Sequence, residues 1–319
     1  MISDFPTQDD FFTSAEGYLN SSWREVIELL TEFDEVKDVI DDSPYANEAL
    51  HYWRSAKQTL ISATALVQQA VEFYIKGRIV SVSPFLLISS SPSSWPKGCH
   101  RNNIPFSSFR TIDAQDLIKV HDTVCEERFT DKFIQWNEAL RVTRNRVIHT
   151  VDKSLEVKPE ELIEYILFAF RYFSNKENWF ESRVKHLNNT PTNSIRFLRE
   201  LDDHQSYLTS QILREFKVSV NCLTPSKVLE YFSFQKKKNS YHCPRCYQTV
   251  SKMDHFEHDF LEDSGKTYQI NEATGIYQCC ICHYTGKFSS NQCVDDDCES
   301  LCVDSSSGLC VSCGSYTSP

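Results

Sequence analysis

The chain has 319 residues, 40% of them hydrophobic and 13% aromatic, which is enough apolar material for a real core and excludes global disorder. That length accommodates two or three domains. A net charge of −11 argues against a generic nucleic-acid coat protein, so any contact with nucleic acid has to come from a local basic patch.

The segment Met1–Phe5 carries no basic or apolar leader signature. No run approaches the roughly 18 apolar residues that span a bilayer, and the best candidate, Ile79–Ile88, is interrupted by Ser81, Ser83 and Pro84. The expectation is a cytoplasmic chain without membrane contact. Thirteen cysteines then argue for metal before disulfides, and ten of them fall between Cys243 and Cys313.

In chain order, residues 1–18 read as an irregular arm. Ser22 and Glu25 have capping-box spacing, and Val26, Leu29, Leu30, Phe33, Val36 and Ile40 follow at helical intervals up to Asp41-Asp42-Ser43-Pro44. A second long helix is expected from Asn47 to Val80, apolar nearly all round at Leu60–Val67, as a central bundle helix would be. Glu72 and Lys76 on it have the spacing and order of a favourable i,i+4 ion pair.

Residues 81–113 are rich in Ser, Pro and Asn and read as an exposed insertion with a basic spot at Lys97, His100 and Arg101. Helical pattern returns at Ala114–Phe129 and Asp131–Ile148, and again from Pro159, a good first-turn residue followed by Glu160 and Glu161. Four or five amphipathic helices in the first 180 residues predict a bundle. Residues 185–237 are helical but more polar, a connector ending at the positive run Lys236-Lys237-Lys238.

The end of the fourth helix, Arg144-Asn145-Arg146-Val147-Ile148-His149, concentrates groups suited to phosphodiester chemistry. At about 100° per residue Asn145 and His149 share a helix face and Arg144 flanks them. Neighbouring Arg141 and Arg146 enlarge the cationic patch and suit phosphate binding. A neutral histidine can take a 2′-OH proton, arginine can bind the scissile phosphate in bidentate fashion, and asparagine can orient either. With the 2′-OH as nucleophile no metal is required, and the products are a 2′,3′-cyclic phosphate and a 5′-OH. The competing interpretation is a basic helix end whose C-terminal histidine is favoured by the macrodipole.

Taken with the helical pattern, these residues make the first 180 positions resemble the HEPN superfamily of all-helical domains, many of which are RNases. Its hallmark is an arginine, a polar residue and, after four to six intervening residues, a histidine, here Arg144, Asn145 and His149. Members often also carry A-x-E-x-x-x-K on an upstream helix, here Ala70, Glu72 and Lys76. The resemblance implies a metal-independent endoribonuclease of the toxin or antiviral-effector type. In that assignment Arg144, Asn145 and His149 are catalytic, and Arg141, Arg146, Lys76 and Glu72 assist binding of RNA. It also implies a homodimer with two copies of the motif in one cleft. The superfamily includes non-catalytic members, which leaves a dimeric scaffold as the alternative.

Beyond Lys238 the composition turns to Cys, Asp, Ser, Gly and Tyr. Cys243-Pro244-Arg245-Cys246 and Cys279-Cys280-Ile281-Cys282 are two knuckles separated by a hairpin-length insert, the pattern of a zinc ribbon with a structural Zn2+ on Cys243, Cys246, Cys279 and Cys282. Cys280 is spare or exchanges with Cys279. Cys279–His283 also spells a haem-attachment motif, which needs an export pathway that nothing in the chain suggests. A second site is expected on Cys310 and Cys313 with Cys293 and Cys298, Cys302 being the rival for the upstream pair. From Lys238 to Pro319 there are eleven acidic against five basic residues, which disfavours a DNA-backbone clamp and favours docking of a protein partner. The expected architecture is mainly α. A four/five-helix HEPN-like bundle (1–184) precedes a helical connector (185–237) and a small β-rich zinc-ribbon module (238–319).

Overall fold

The computed structural model describes residues 1–41, 47–89, 92–149, 157–174, 178–191, 204–252, 266–271, 275–289, 292–298, 300 and 302–316, and of 38–41 and 147–149 only the backbone. The protein is mainly helical with a small antiparallel sheet near its C-terminus. It divides into two compact units, Met1–Asn175 and Lys176–Pro319. The helices after residue 178, assigned from sequence partly to the bundle and partly to a connector, therefore group with the cysteine-rich segment. No helix among the described residues is long and apolar enough to cross a membrane.

The first unit starts with a short strand β1 (Ile2–Ser3), paired in parallel with β2 (Ile104–Pro105) from the insertion. The first helix, α1, runs over Gln8–Asp41, so it begins well before the expected start at Ser22. Its cap is Thr7 with Asp10. The Thr7 N–H donates to Asp10 Oδ2 at 2.8 Å and the Asp10 N–H to Thr7 Oγ1 at 3.2 Å, a reciprocal capping box. Ser22 lies mid-helix and fully buried, its hydroxyl donating to the Ala63 carbonyl at 2.9 Å.

Helix α2 (Glu48–Val82) packs along α1 and is the central element, with Ala63, Val67, Ala70, Val71, Tyr74 and Ile79 all buried. Close approach is permitted at Gly77, where a β-carbon would lie 2.8 Å from the Phe12 ring. Helices α3 (Ala114–Val124), α4 (Asp131–His149) and α5 (Pro159–Phe173) complete the bundle. Thr130 caps the start of α4, its hydroxyl accepting the Phe133 N–H at 3.2 Å. Helix α5 starts at Pro159 with its acidic first turn, as the helix dipole favours. An aromatic cluster of Phe129, Phe133, Tyr172 and Phe173 joins these helices, and Tyr74 stacks on Phe173 at 4.8 Å. The Arg78 guanidinium lies 4.8–5.6 Å from the centres of three of those rings. The insertion, expected as one long loop, folds into short 3-10 turns, β2 and a bridge from Ile88 to Thr111.

The second unit contains α6 (Trp179–Asn188), α7 (His204–Cys222), α8 (Pro225–Phe232) and a short α9 (Pro244–Val250). Phe180, Phe216, Phe232 and Phe234 form its helical core. Arg183 and Glu215, 1% and 4% exposed at their side chains, make a bidentate buried ion pair at 2.9 Å. Strands β3 (Tyr268–Asn271), β4 (Ile276–Cys279) and β5 (Thr285–Gly286) form an antiparallel sheet in that order, with Tyr268 opposite Cys279. Tyr241 bridges Tyr268 on the outer side.

Candidate functional site

In the first unit a cleft of about 410 Å³ opens between α2, the start of α3 and the second half of α4. Gln68 and Glu72 form one wall, Arg141, Arg144 and Asn145 another, and Asp113, Ala114 and Gln115 the third. Arg144 Nη1 donates to Asn145 Oδ1 at 3.1 Å. Burial raises the Glu72 carboxyl above its ordinary value, opposed by the charges of Lys76 and Arg144 and by a hydrogen bond from Gln68 Nε2 at 3.3 Å. The Gln68 side chain is 7% exposed, and its Oε1 is a buried acceptor with no protein partner among the described residues. A flipped amide would set that oxygen against the Glu72 carboxylate, so the orientation is fixed by its neighbour.

The assigned residues thus separate. Glu72, Arg144, Asn145 and Arg141 share the cleft. Arg141 is held by Glu138 through Nε at 3.0 Å and Nη2 at 2.9 Å, which offsets its charge. Arg146 is exposed and does not line the cleft. Lys76 does not make the expected ion pair with Glu72. It donates to Thr111 Oγ1 at 3.3 Å, since the insertion offers a partner that helix spacing alone does not reveal. The backbone of α4 extends through His149, but its side chain lies outside the described residues, as does the turn at 150–151. Gln68 was not a sequence candidate; its place one turn before Glu72 on the same face was the available signal.

In the second unit the cysteines fall into two groups of four. Cys243, Cys246, Cys279 and Cys282 place their sulfurs within 4.8 Å of one another, as do Cys293, Cys298, Cys310 and Cys313. The first group has pairs at 3.5 Å (Cys243–Cys282) and 4.0 Å (Cys246–Cys279), the second at 3.5 Å (Cys293–Cys313) and 3.9 Å (Cys298–Cys310). A regular tetrahedron with such edges has its centre about 2.1–2.4 Å from each vertex, which brackets the roughly 2.3 Å of a zinc–thiolate bond. Each group is therefore shaped to hold one metal ion. Cys302 and Cys280 belong to neither.

The thiol electrostatics have the same form in both groups. Burial pushes the Cys279 thiol up, but hydrogen bonds from the three neighbouring thiols carry it well below its ordinary value, while Cys243 and Cys246 are driven up. In the second group burial raises Cys313, and bonds from Ser315, Cys293 and Cys298 bring it down to about 7, with Cys293 pushed up to about 12. In each group the crowding that favours the thiolate on one sulfur works against it on others, and a cation at the centre removes that conflict.

Local structure prepares these groups. Cys243 caps α9, so Cys246 returns one turn later on the same side. Cys279 ends β4 and its sulfur accepts the N–H groups of Ile281 and Cys282 at 3.4 and 3.5 Å. Asp304, fully buried, organises the turn before Cys310: its Oδ2 accepts the Ser306 and Ser307 N–H groups, the Ser307 hydroxyl and Tyr284 OH. Gly314 has φ +82°, and a β-carbon there would lie 2.7 Å from Tyr247 Oη. A cavity of about 570 Å³ in this unit borders Gln235 and Gln269, but the Gln269 amide is already bonded to the Gln235 N–H and to the Gln235 and Lys238 carbonyls.

The chain matches no protein-family model, no curated protein and no solved structure.

Proposed function

We propose that the protein is a metal-independent endoribonuclease of the HEPN type, acting through Arg144, Asn145 and His149, with a structural Zn2+ in each four-cysteine group. The observation that carries this is the cleft itself. Arg144 and Asn145 line an open cavity opposite a buried glutamine whose amide oxygen has no partner among the described residues. His149 follows Asn145 by four residues on α4, which puts the two on one face of the helix.

In this mechanism His149 takes the 2′-OH proton, the 2′-oxygen attacks the adjacent phosphorus, and the 5′-oxygen leaves and is protonated. A 2′,3′-cyclic phosphate and a 5′-OH result. Arg144 has donors beyond the one given to Asn145 and stabilises charge on the non-bridging oxygens. Asn145 orients that guanidinium. Gln68 Oε1 is available to a ribose hydroxyl. By the same resemblance the enzyme acts as a homodimer, as a toxin or antiviral effector, and metal-binding rather than disulfide-bonded cysteines suit a thiol-reducing, cytoplasmic compartment.

When bound, zinc supplies cross-linking and no chemistry, because four thiolates fill its tetrahedral shell. The acidic composition of residues 238–319 then suits a protein partner.

The test is incubation of the full chain with RNA in buffer without added divalent cation. Cleavage leaving cyclic phosphate ends is expected, and His149→Ala or Arg144→Ala should slow it about 10²–10⁴-fold. Cleavage indifferent to His149→Ala, or none at all, sinks the proposal. A second reading, a non-catalytic scaffold, is favoured by the partners already held by Arg144 and Arg141. It predicts RNA binding or partner capture with no cyclic phosphate product.

A further inference from the structure

The insertion after α2 carries charge of the opposite sign to the chain. From Ser81 to Ile112 there is no Asp or Glu in 32 residues, against a net charge of −11 overall. Its cations are Lys97, Arg101 and Arg110, with His100 between the first two. Arg110 is paired with Asp113 at 3.0 Å, but Lys97, His100 and Arg101 are exposed and have no acidic partner among the described residues. A tight turn gathers these three, with the Cys99 N–H on the Pro96 carbonyl and the Arg101 and Asn102 N–H groups on the Gly98 carbonyl. Gly98 makes that turn possible with φ +79°.

Beside them is Trp95. Its ring packs edge-on to the buried Phe109 at 5.7 Å and remains 37% exposed. Anchored from beneath and open above, it is a platform on which a base can stack. The same segment leads to the cleft: Thr111 accepts Lys76, and Asp113 lines the cavity with Arg144 and Glu72.

We infer that the 92–103 turn is a single-stranded RNA-binding arm, with Lys97 and Arg101 on backbone phosphates and Trp95 stacked on a base, delivering substrate to the adjoining cleft. It rests on the RNA assignment of that cleft. Unpaired bases are required because a stacking platform of this kind needs an exposed π-face, which a duplex withholds.

Binding is measured by fluorescence anisotropy of a labelled oligouridylate with the full chain carrying His149→Ala, so that no cleavage intervenes. Lys97→Gln with Arg101→Gln should weaken binding roughly tenfold at low salt and reduce the slope of log K against log salt by about 1.4, since each phosphate contact contributes about 0.7 on single strands. Lys119→Gln with Arg128→Gln, an equal loss of exposed charge elsewhere in the unit, should leave the affinity within about twofold. Trp95→Ala should cost roughly another tenfold, and Trp95→Phe, which keeps a ring on Phe109, should restore most of it.

Unchanged affinity in the Lys97/Arg101 variant, an equal effect of the Lys119/Arg128 control, or capture of phosphatidylserine vesicles instead of the oligouridylate overturns the inference. Failure of the cleavage assay with this binding intact would remove the enzyme assignment alone. His149-dependent cleavage with binding indifferent to the arm would remove the arm alone.

Discussion

Replacing Cys279 with serine should strip one of two metal ions from the chain and unfold the structure around it. Cys279 is fully buried at the end of β4, its sulfur 4.0 Å from that of Cys246, and Thr267 Oγ1 lies 3.2 Å from it. A serine oxygen is a harder, poorer ligand than thiolate and would need a shorter bond than this packed position allows. A structural zinc site is worth about 10–16 kcal/mol in small domains at neutral pH, whereas a whole domain is stable by only about 5–15 kcal/mol. Losing half of the binding energy, about 5–8 kcal/mol, therefore uses up a reserve at the lower end of that range. Metal content by mass spectrometry, with calorimetric melting on the same samples, is the assay. The parent chain should carry two zinc ions and Cys279→Ser one, with its lowest-temperature transition lost. Cys280→Ser and Cys302→Ser should each retain two. A Cys279→Ser variant that keeps both ions, or a Cys302→Ser variant that loses one, would refute the ligand sets derived from the sulfur positions.

Two further outcomes follow from buried charge. Glu215→Gln leaves Arg183 cationic and poorly compensated at 1% exposure, which should cost about 3–5 kcal/mol and lower Tm by roughly 10–20 °C; Arg183→Met with Glu215→Leu should recover most of it, and a recovery no better than the single variant would argue against a simple charge imbalance. Burial raises Glu72 above its ordinary 4.5, so the stability it contributes is complete below that pH and is lost as pH rises through the folded value. Glu72→Gln should therefore raise Tm at pH 7 and leave it nearly unchanged at pH 4, and calorimetry showing no gain at pH 7 would contradict the burial argument.

The helices of the bundle were legible where hydrophobic period and end signals agreed. Pro159 is an example, and α2 and α4 run close to their expected limits, while the expected break after Asp41 lies outside the described residues. The start of α1 was not, because Ser22-x-x-Glu25 has the same local spelling as the true cap at Thr7-x-x-Asp10. What separates them is tertiary: the Ser22 hydroxyl satisfies a carbonyl on α2, which no local pattern encodes. The cysteine groups were legible because a C-x-x-C spacing needs only one turn of chain to aim two sulfurs at a common point. The choice of Cys298 over Cys302 was less constrained by spacing and was decided by the bridge from Val303 to Cys310, which commits Cys302 to the hairpin.

The cleft shows the opposite case, in which charge identity was legible and charge state was not. Counting cations along α4 makes Arg141, Arg144 and Arg146 equivalent, yet the folded chain gives them three situations: clamped by Glu138, turned to Asn145 beside a cavity, and exposed outside it. Only Arg144 combines an open approach with uncommitted donors next to the Asn145 face. The same logic inverts the bland view of the insertion. Its cations are fewer than those of α4, but Lys97 and Arg101 have no carboxylate partner among the described residues, so their field reaches solvent instead of closing on a neighbour. In a chain this acidic, unpaired cations govern where a polyanion can approach, and the fold places them on the segment whose end forms one wall of the cleft.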